Sequence, residues 1–187
     1  MTAEPVDGAV LVDIAREAIR EHLGLARAAE RRDPWLQQPA ATFVTLRGHG
    51  ELRGCIGSLD ARRPLGADVA HNARAAAFSD PRFPPVTIGE VDALEVEVSL
   101  LSAREPFAAA SEADALARLR PGLDGVCFEY RGASATFLPQ VWESLPDPLV
   151  FLGELRRKAG LSARFWHADV KLSRYTVEKF RDERPRA

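Results

Sequence analysis

Apolar positions along this chain change period several times, and each change marks an element. Between Gly8 and Arg32 the residues Val10, Ile14, Ala18, Leu23 and Leu25 form an imperfect helical stripe, opposed by Asp13, Arg16, Glu17 and Arg20. The pattern predicts one helix over that range, stopped at Asp33-Pro34 because the residue before a proline is driven out of helical geometry. From Ala40 the period falls to two. Ala40 to Arg47 reads as a strand, Gly48-His49-Gly50 as a turn, and Glu51-Leu-Arg-Gly-Cys-Ile-Gly57 as the returning strand of a hairpin. Leu65 to Phe78 returns to helical spacing, with a face of Leu65, Val69, Ala73, Ala76 and Ala77 small enough for close packing. Asp68, His71 and Arg74 fall on a neighbouring face and read as a solvated polar stripe.

Alternation is clearest from Leu94 to Ser102, with Leu94, Val96 and Val98 inward and Glu95 and Glu97 on the opposite face, toward water or a cleft. Ser111 caps a short helix reaching Arg120, which Pro121-Gly122 stops. A second hairpin joins Gly125–Arg131 to Ser134–Leu138 around Gly132-Ala133, with Cys127 on the face away from Val126, Phe128 and Tyr130. Pro139 opens a helical turn, and Asp147-Pro148 opens a helix that runs to Ala159 and stops at Gly160, its last turn made basic by Arg156, Arg157 and Lys158. Val170 to Phe180 reads as one final strand.

Composition narrows the functional classes. The 187 residues can bury a core without a staple, and 25 Lys plus Arg against 27 Asp plus Glu leave a net charge of -2, which gives no global field for nucleic acid or an anionic membrane. Arginine pairs such as Arg31-Arg32, Arg62-Arg63 and Arg156-Arg157 read as solvated surface. Cys55 and Cys127 lack zinc-site spacing and the four histidines are scattered, so no metal and no cofactor is called. Without a leader-like N-terminus or a run of ~18 to 20 apolar residues, the expectation is a cytoplasmic protein with reduced thiols.

Chemistry concentrates at residues 51–59. Glycine inside a strand forfeits packing, so Gly54 and Gly57 point to a bulge, a bend, or close approach by something else. Strict alternation puts Arg53, Cys55 and Gly57 on one face, giving the thiol a cationic neighbour that favours thiolate. The loop Ser79-Asp-Pro-Arg-Phe-Pro-Pro85 is stiffened by three prolines, and in it Asp80 and Arg82 either pair with each other or present the Arg82 fork to an anion.

Leu52-Arg-Gly-Cys-Ile-Gly-Ser-Leu59 resembles the signature of the AMMECR1-like family, called AmmeMemoRadiSam system protein A in prokaryotes. Supporting blocks follow in order: Ala75–Pro85, Glu95–Ser102, Phe137–Val141, Lys158–Leu161 and Trp166. The resemblance implies an α+β fold in one domain spanning residues 1–187, mainly antiparallel sheet flanked by helices. A larger lobe would come from both termini, a smaller lobe would be inserted in mid-chain, and a cleft would lie between them. The prokaryotic name implies association with radical-SAM and Memo-like proteins.

Three functions stay open on these residues. In an enzyme or enzyme subunit, Cys55 is the nucleophile or redox thiol and Arg53 its thiolate or anion partner. A binding module would hold a small molecule or peptide with Gly54, Gly57, Asp80, Arg82 and Glu97. An adaptor would dock the radical-SAM and Memo-like partners. Nucleic-acid binding gains no support from the balanced charge.

Overall fold

The structure, a computed structural model, describes residues 5–182. In chain order its elements are α1 (Gly8–His22), β1 (Pro39–Gly48), β2 (Glu51–Gly57), β3 (Arg63–Pro64), α2 (Leu65–Phe78), β4 (Leu94–Leu101), β5 (Glu105–Phe107), α3 (Glu112–Arg118), β6 (Gly125–Tyr130), β7 (Ala133–Phe137), α4 (Pro148–Lys158), β8 (Lys171–Tyr175) and β9 (Val177–Arg181). This is an α+β fold. The chain divides into two compact units, one reaching Leu101 and resuming at Glu178, the other spanning Ser102–Val177.

In the first unit, Asp7 opens α1 by accepting the backbone N–H groups of Ala9 and Val10. The helix closes at His22, well short of Arg32. Gly24 adopts φ 72°, and the N–H groups of Gly24 and Leu25 return to the carbonyls of Glu21 and Arg20. That closure needs a left-handed residue, which glycine supplies at no steric cost. Arg31 then folds the following link back with paired bonds of 2.7 and 2.8 Å to Glu17.

The first sheet runs β2-β1-β4-β9, with the short β3 also paired to β1, and β1 is antiparallel to β2, β3 and β4. One face carries Val44, Leu46, Val96 and Val98 into a core shared with Leu11, Ala15 and Ile19 of α1 and Val69, Ala73 and Ala76 of α2. The other face carries Phe43, Thr45, Cys55, Glu97 and Ser99, which the pairing register aligns in rows across the strands.

The expected solvated stripe on α2 is half wrong. His71 is exposed, but Asp68 is fully buried, and its carboxylate accepts the Thr42 N–H and hydroxyl, the Ser58 hydroxyl, the Asn72 amide and the Arg63 guanidinium. A buried charge persists when its lone pairs are filled in this way. Arg63, read as surface, is the cation of this cluster.

The second unit has the sheet order β5-β8-β6-β7, with antiparallel ladders. Its core stacks Trp142 on Phe151 with centroids 3.7 Å apart, beside Val126, Phe128, Leu152, Leu155 and Leu172. The hairpin turn is Arg131-Gly132, at φ 42° and 90°, one residue earlier than expected. Arg156, read as surface, is fully buried and bonds Glu112 and the Ala163 carbonyl, each at 2.5 Å. The single final strand expected over Val170–Phe180 breaks at Thr176. β8 belongs to the second sheet and β9 to the first.

Candidate functional site

The signature stretch is the edge strand β2, and its pairing explains where each of its side chains goes. Gly54 pairs with Leu46 and Leu52 with Arg47, so Arg53 is the extra residue of a β-bulge. A bulge re-aims its side chain. Alternation therefore fails at Arg53, whose guanidinium turns to the proline loop: Nε donates to Glu90 at 2.9 Å, Nη1 to the Pro84 carbonyl at 2.8 Å, and Nη2 to Pro85 and Glu90 at 3.3 Å. Glu90 also takes the N–H and hydroxyl of Thr87. Arg53 foremost, then Thr87, lowers the Glu90 pKa to about 2.

The space beside both glycines is taken by the protein itself rather than left for a ligand. A Cβ on Gly54 would stand 2.1 Å from the Ala76 carbonyl oxygen, so β2 lies against the backbone of α2. A Cβ on Gly57 would stand 2.1 Å from the ring of its cross-strand partner Phe43.

Cys55 lies opposite Thr45 on the sheet face turned away from the helices. Its own N–H and C=O point to the open edge, which makes this a non-hydrogen-bonded pair, the kind that brings side chains closest. Both edge groups are filled by the proline loop. Asp80 Oδ2 accepts the Cys55 N–H at 2.9 Å, and Arg82 Nη2 donates to the Cys55 carbonyl at 3.1 Å. Asp80 and Arg82 are themselves joined twice, Nε to Oδ1 at 2.9 Å and Nη2 to Oδ2 at 2.7 Å, and the Arg82 N–H adds a bond of 3.1 Å. Arg82 foremost, then the N–H groups of Cys55 and Arg82, hold the buried Asp80 carboxyl well below the usual carboxylate range. The Arg82 pKa is raised, foremost by its hydrogen bonds to Asp80. The guanidinium that meets Cys55 is thus Arg82, not Arg53.

The half-buried Cys55 sulfur also accepts the Thr45 hydroxyl at 3.4 Å. Glu97 follows Thr45 in the same row and is held by Arg181 at 2.6 Å and Lys179 at 3.6 Å. It shares the face with Cys55, while Asp80 and Arg82 approach from the edge. Thr45 and Glu90 were not anticipated. A simple count outward from the Gly48–Gly50 turn, starting at Gly48 opposite Glu51, would put Val44 opposite Cys55; the bulge at Arg53 shifts the register by one and brings Thr45 there, so the sequence carried no signal for the pair. Glu90 carried none either. Among the described residues, no group of three or more His, Cys, Asp or Glu is placed to hold a metal ion, and no helix is long and apolar enough to cross a membrane.

The chain is similar over nearly its whole length to known proteins. The AMMECR1 family model matches residues 12–180. A protein of Thermofilum pendens is 38% identical, with 96% of this chain and 92% of that one covered, and a protein of Methanothermobacter thermautotrophicus is 37% identical, with 95% of each covered. The crystal structure of the uncharacterized protein PH0010 from Pyrococcus horikoshii matches with a TM-score of 0.80 at 36% identity, covering 95% of this chain and 92% of that one. The chain belongs to the AMMECR1 family.

Proposed function

We propose that residues 51–59 and 80–90 form a thiol-dependent site in which Cys55 is the functional nucleophile or redox thiol and Arg82 is its cationic partner. The observation that carries this reading is the Asp80–Arg82 pair. A buried carboxylate holds the backbone N–H of a single cysteine and orients one guanidinium onto the carbonyl of that same cysteine. Cations beside a thiol favour its nucleophilic form, and a fixed backbone holds the sulfur in one geometry. Arg53 takes a positioning role, bracing the proline loop that carries Asp80 and Arg82. Glu97, on the same face, contributes a carboxylate to whatever is bound there.

The test is alkylation of the native protein by iodoacetamide, read peptide by peptide, with the buried Cys127 as internal reference. Cys55 should react at neutral pH faster than the same thiol in an unfolded peptide, while Cys127 reacts only after denaturation. A Cys55 rate at or below that of the peptide would overturn thiol chemistry and favour a non-catalytic binding module on the same face.

A further inference from the structure

The chain contains two cross-strand Cys–Thr pairs, and their hydrogen bonds run in opposite directions. Cys55 faces Thr45 across β1 and β2, and Cys127 faces Thr136 across β6 and β7. Each sulfur lies 3.4 Å from its hydroxyl oxygen. In the second pair the Thr136 proton is committed to the Val126 carbonyl at 2.9 Å, and its oxygen lies 3.1 Å from the Tyr175 hydroxyl, which itself donates to the Phe137 carbonyl at 3.2 Å. Thr136 is therefore left to accept, and Cys127 must be the donor, which only a protonated thiol can be. In the first pair the polarity is reversed: Thr45 donates its hydroxyl proton and Cys55 accepts.

We infer that Thr45 is the residue that polarises the Cys55 sulfur toward thiolate, and that the committed proton of Thr136 keeps Cys127 a thiol. The inference rests on the thiol-site reading above and assigns a residue that acts within it. A donor to sulfur is worth more to the anion than to the thiol, so losing it costs the ionised state selectively. The other charges around Cys55 are arranged so as not to oppose this. Asp80 is neutralised by Arg82 on the edge, and Glu97 beyond Thr45 is neutralised by Arg181 and Lys179. Valine at 45 keeps the β-branched shape and removes only the donor. Serine restores it.

The experiment measures the iodoacetamide rate at Cys55 across about pH 6 to 10, bracketing an ordinary thiol titration, in the wild type, Thr45→Val and Thr45→Ser. Thr45→Val should slow the reaction about threefold to tenfold at neutral pH, the effect of one charge-assisted hydrogen bond at a half-exposed site. The difference should disappear at the alkaline end, where every thiol is ionised. Thr45→Ser should track the wild type. Equal Thr45→Val and wild-type rates at every pH would overturn the role of the hydroxyl, as would a deficit that persists unchanged at high pH, which would report access rather than ionisation. A slow Cys55 in the wild type itself would remove the thiol-site reading, whereas a fast wild type with an indifferent Thr45→Val removes only this one.

Discussion

Asp80→Asn isolates the part of the site that does not touch solvent. Four donors converge on that carboxylate: the N–H of Cys55, and the N–H, Nε and Nη2 of Arg82. Asparagine keeps one acceptor oxygen, turns an NH2 group toward the donors and leaves the guanidinium without a counter-charge. Breaking a wholly buried pair costs about 3–5 kcal/mol. Here the Arg82 side chain is 54% exposed and can rehydrate, whereas Asp80 at 1% cannot, so about 2–3 kcal/mol is expected. For a chain of this length that is a fall of about 4–12 °C in Tm. The sign with pH follows from the depressed Asp80 pKa. The carboxylate contributes fully above its unfolded value near ~3.9, and its contribution is lost as pH falls toward the folded value. The gap between wild type and variant should therefore be flat from neutral pH down to about 4 and narrow below it. Hydrogen exchange localises the effect, since the Cys55 amide loses its acceptor and should exchange about 30- to 150-fold faster if the edge opens locally. A variant melting within about 1 °C of wild type, with the Cys55 amide still protected, would show that the loop does not brace the cysteine.

Gly54→Ala forces a methyl into the Ala76 carbonyl oxygen and should cost about 3 kcal/mol or more by urea unfolding, because backbone cannot move aside as a side chain can. Gly57→Ala meets only the Phe43 ring and should cost less, about 1–3 kcal/mol in the same measurement; equal losses at the two positions would contradict the packing described. Glu90→Gln should cost no more than about 1 kcal/mol near neutrality, since its side chain is 40% exposed, and the difference should fade as pH drops from ~4.3 through about 2. Burial raises the Tyr175 pKa to about 12, so its phenol should ionise that late in an ultraviolet titration of the folded protein, and the stability it contributes should decline as pH rises from ~10 toward 12. Ionisation of every described tyrosine near 10 in the folded state would contradict that burial.

What the sequence makes legible here is whatever one element decides alone. The face of α2 and the alternation of β4 depend on a single period, and both stand as read. The caps at Ser111 and Asp147 depend on one side chain and the next turn, and both hold. α1 was overextended because Leu23 and Leu25 continue an apolar stripe past a glycine whose left-handed φ ends the helix regardless of pattern. Asp68 and Arg156, misread as surface, owe their burial to partners on other elements, as the part-exposed Arg63 owes its pairing, and no local period reports that.

The same distinction governs the site. Alternation is sound within each strand for Cys55 and Thr45, but the bulge at Arg53 shifts the hairpin register by one residue without altering composition, so neither their pairing nor the aim of Arg53 is legible. The consequence is an exchange of roles between two arginines. Arg53, beside the cysteine in sequence, bonds the loop and Glu90, while Arg82, twenty-seven positions away, reaches the Cys55 carbonyl. Asp80 is what makes the exchange specific, since its two oxygens hold Arg82 and the Cys55 amide together. Substituting Arg53 should therefore loosen the loop and substituting Arg82 should slow the thiol, an assignment opposite to the one that proximity in the chain implies.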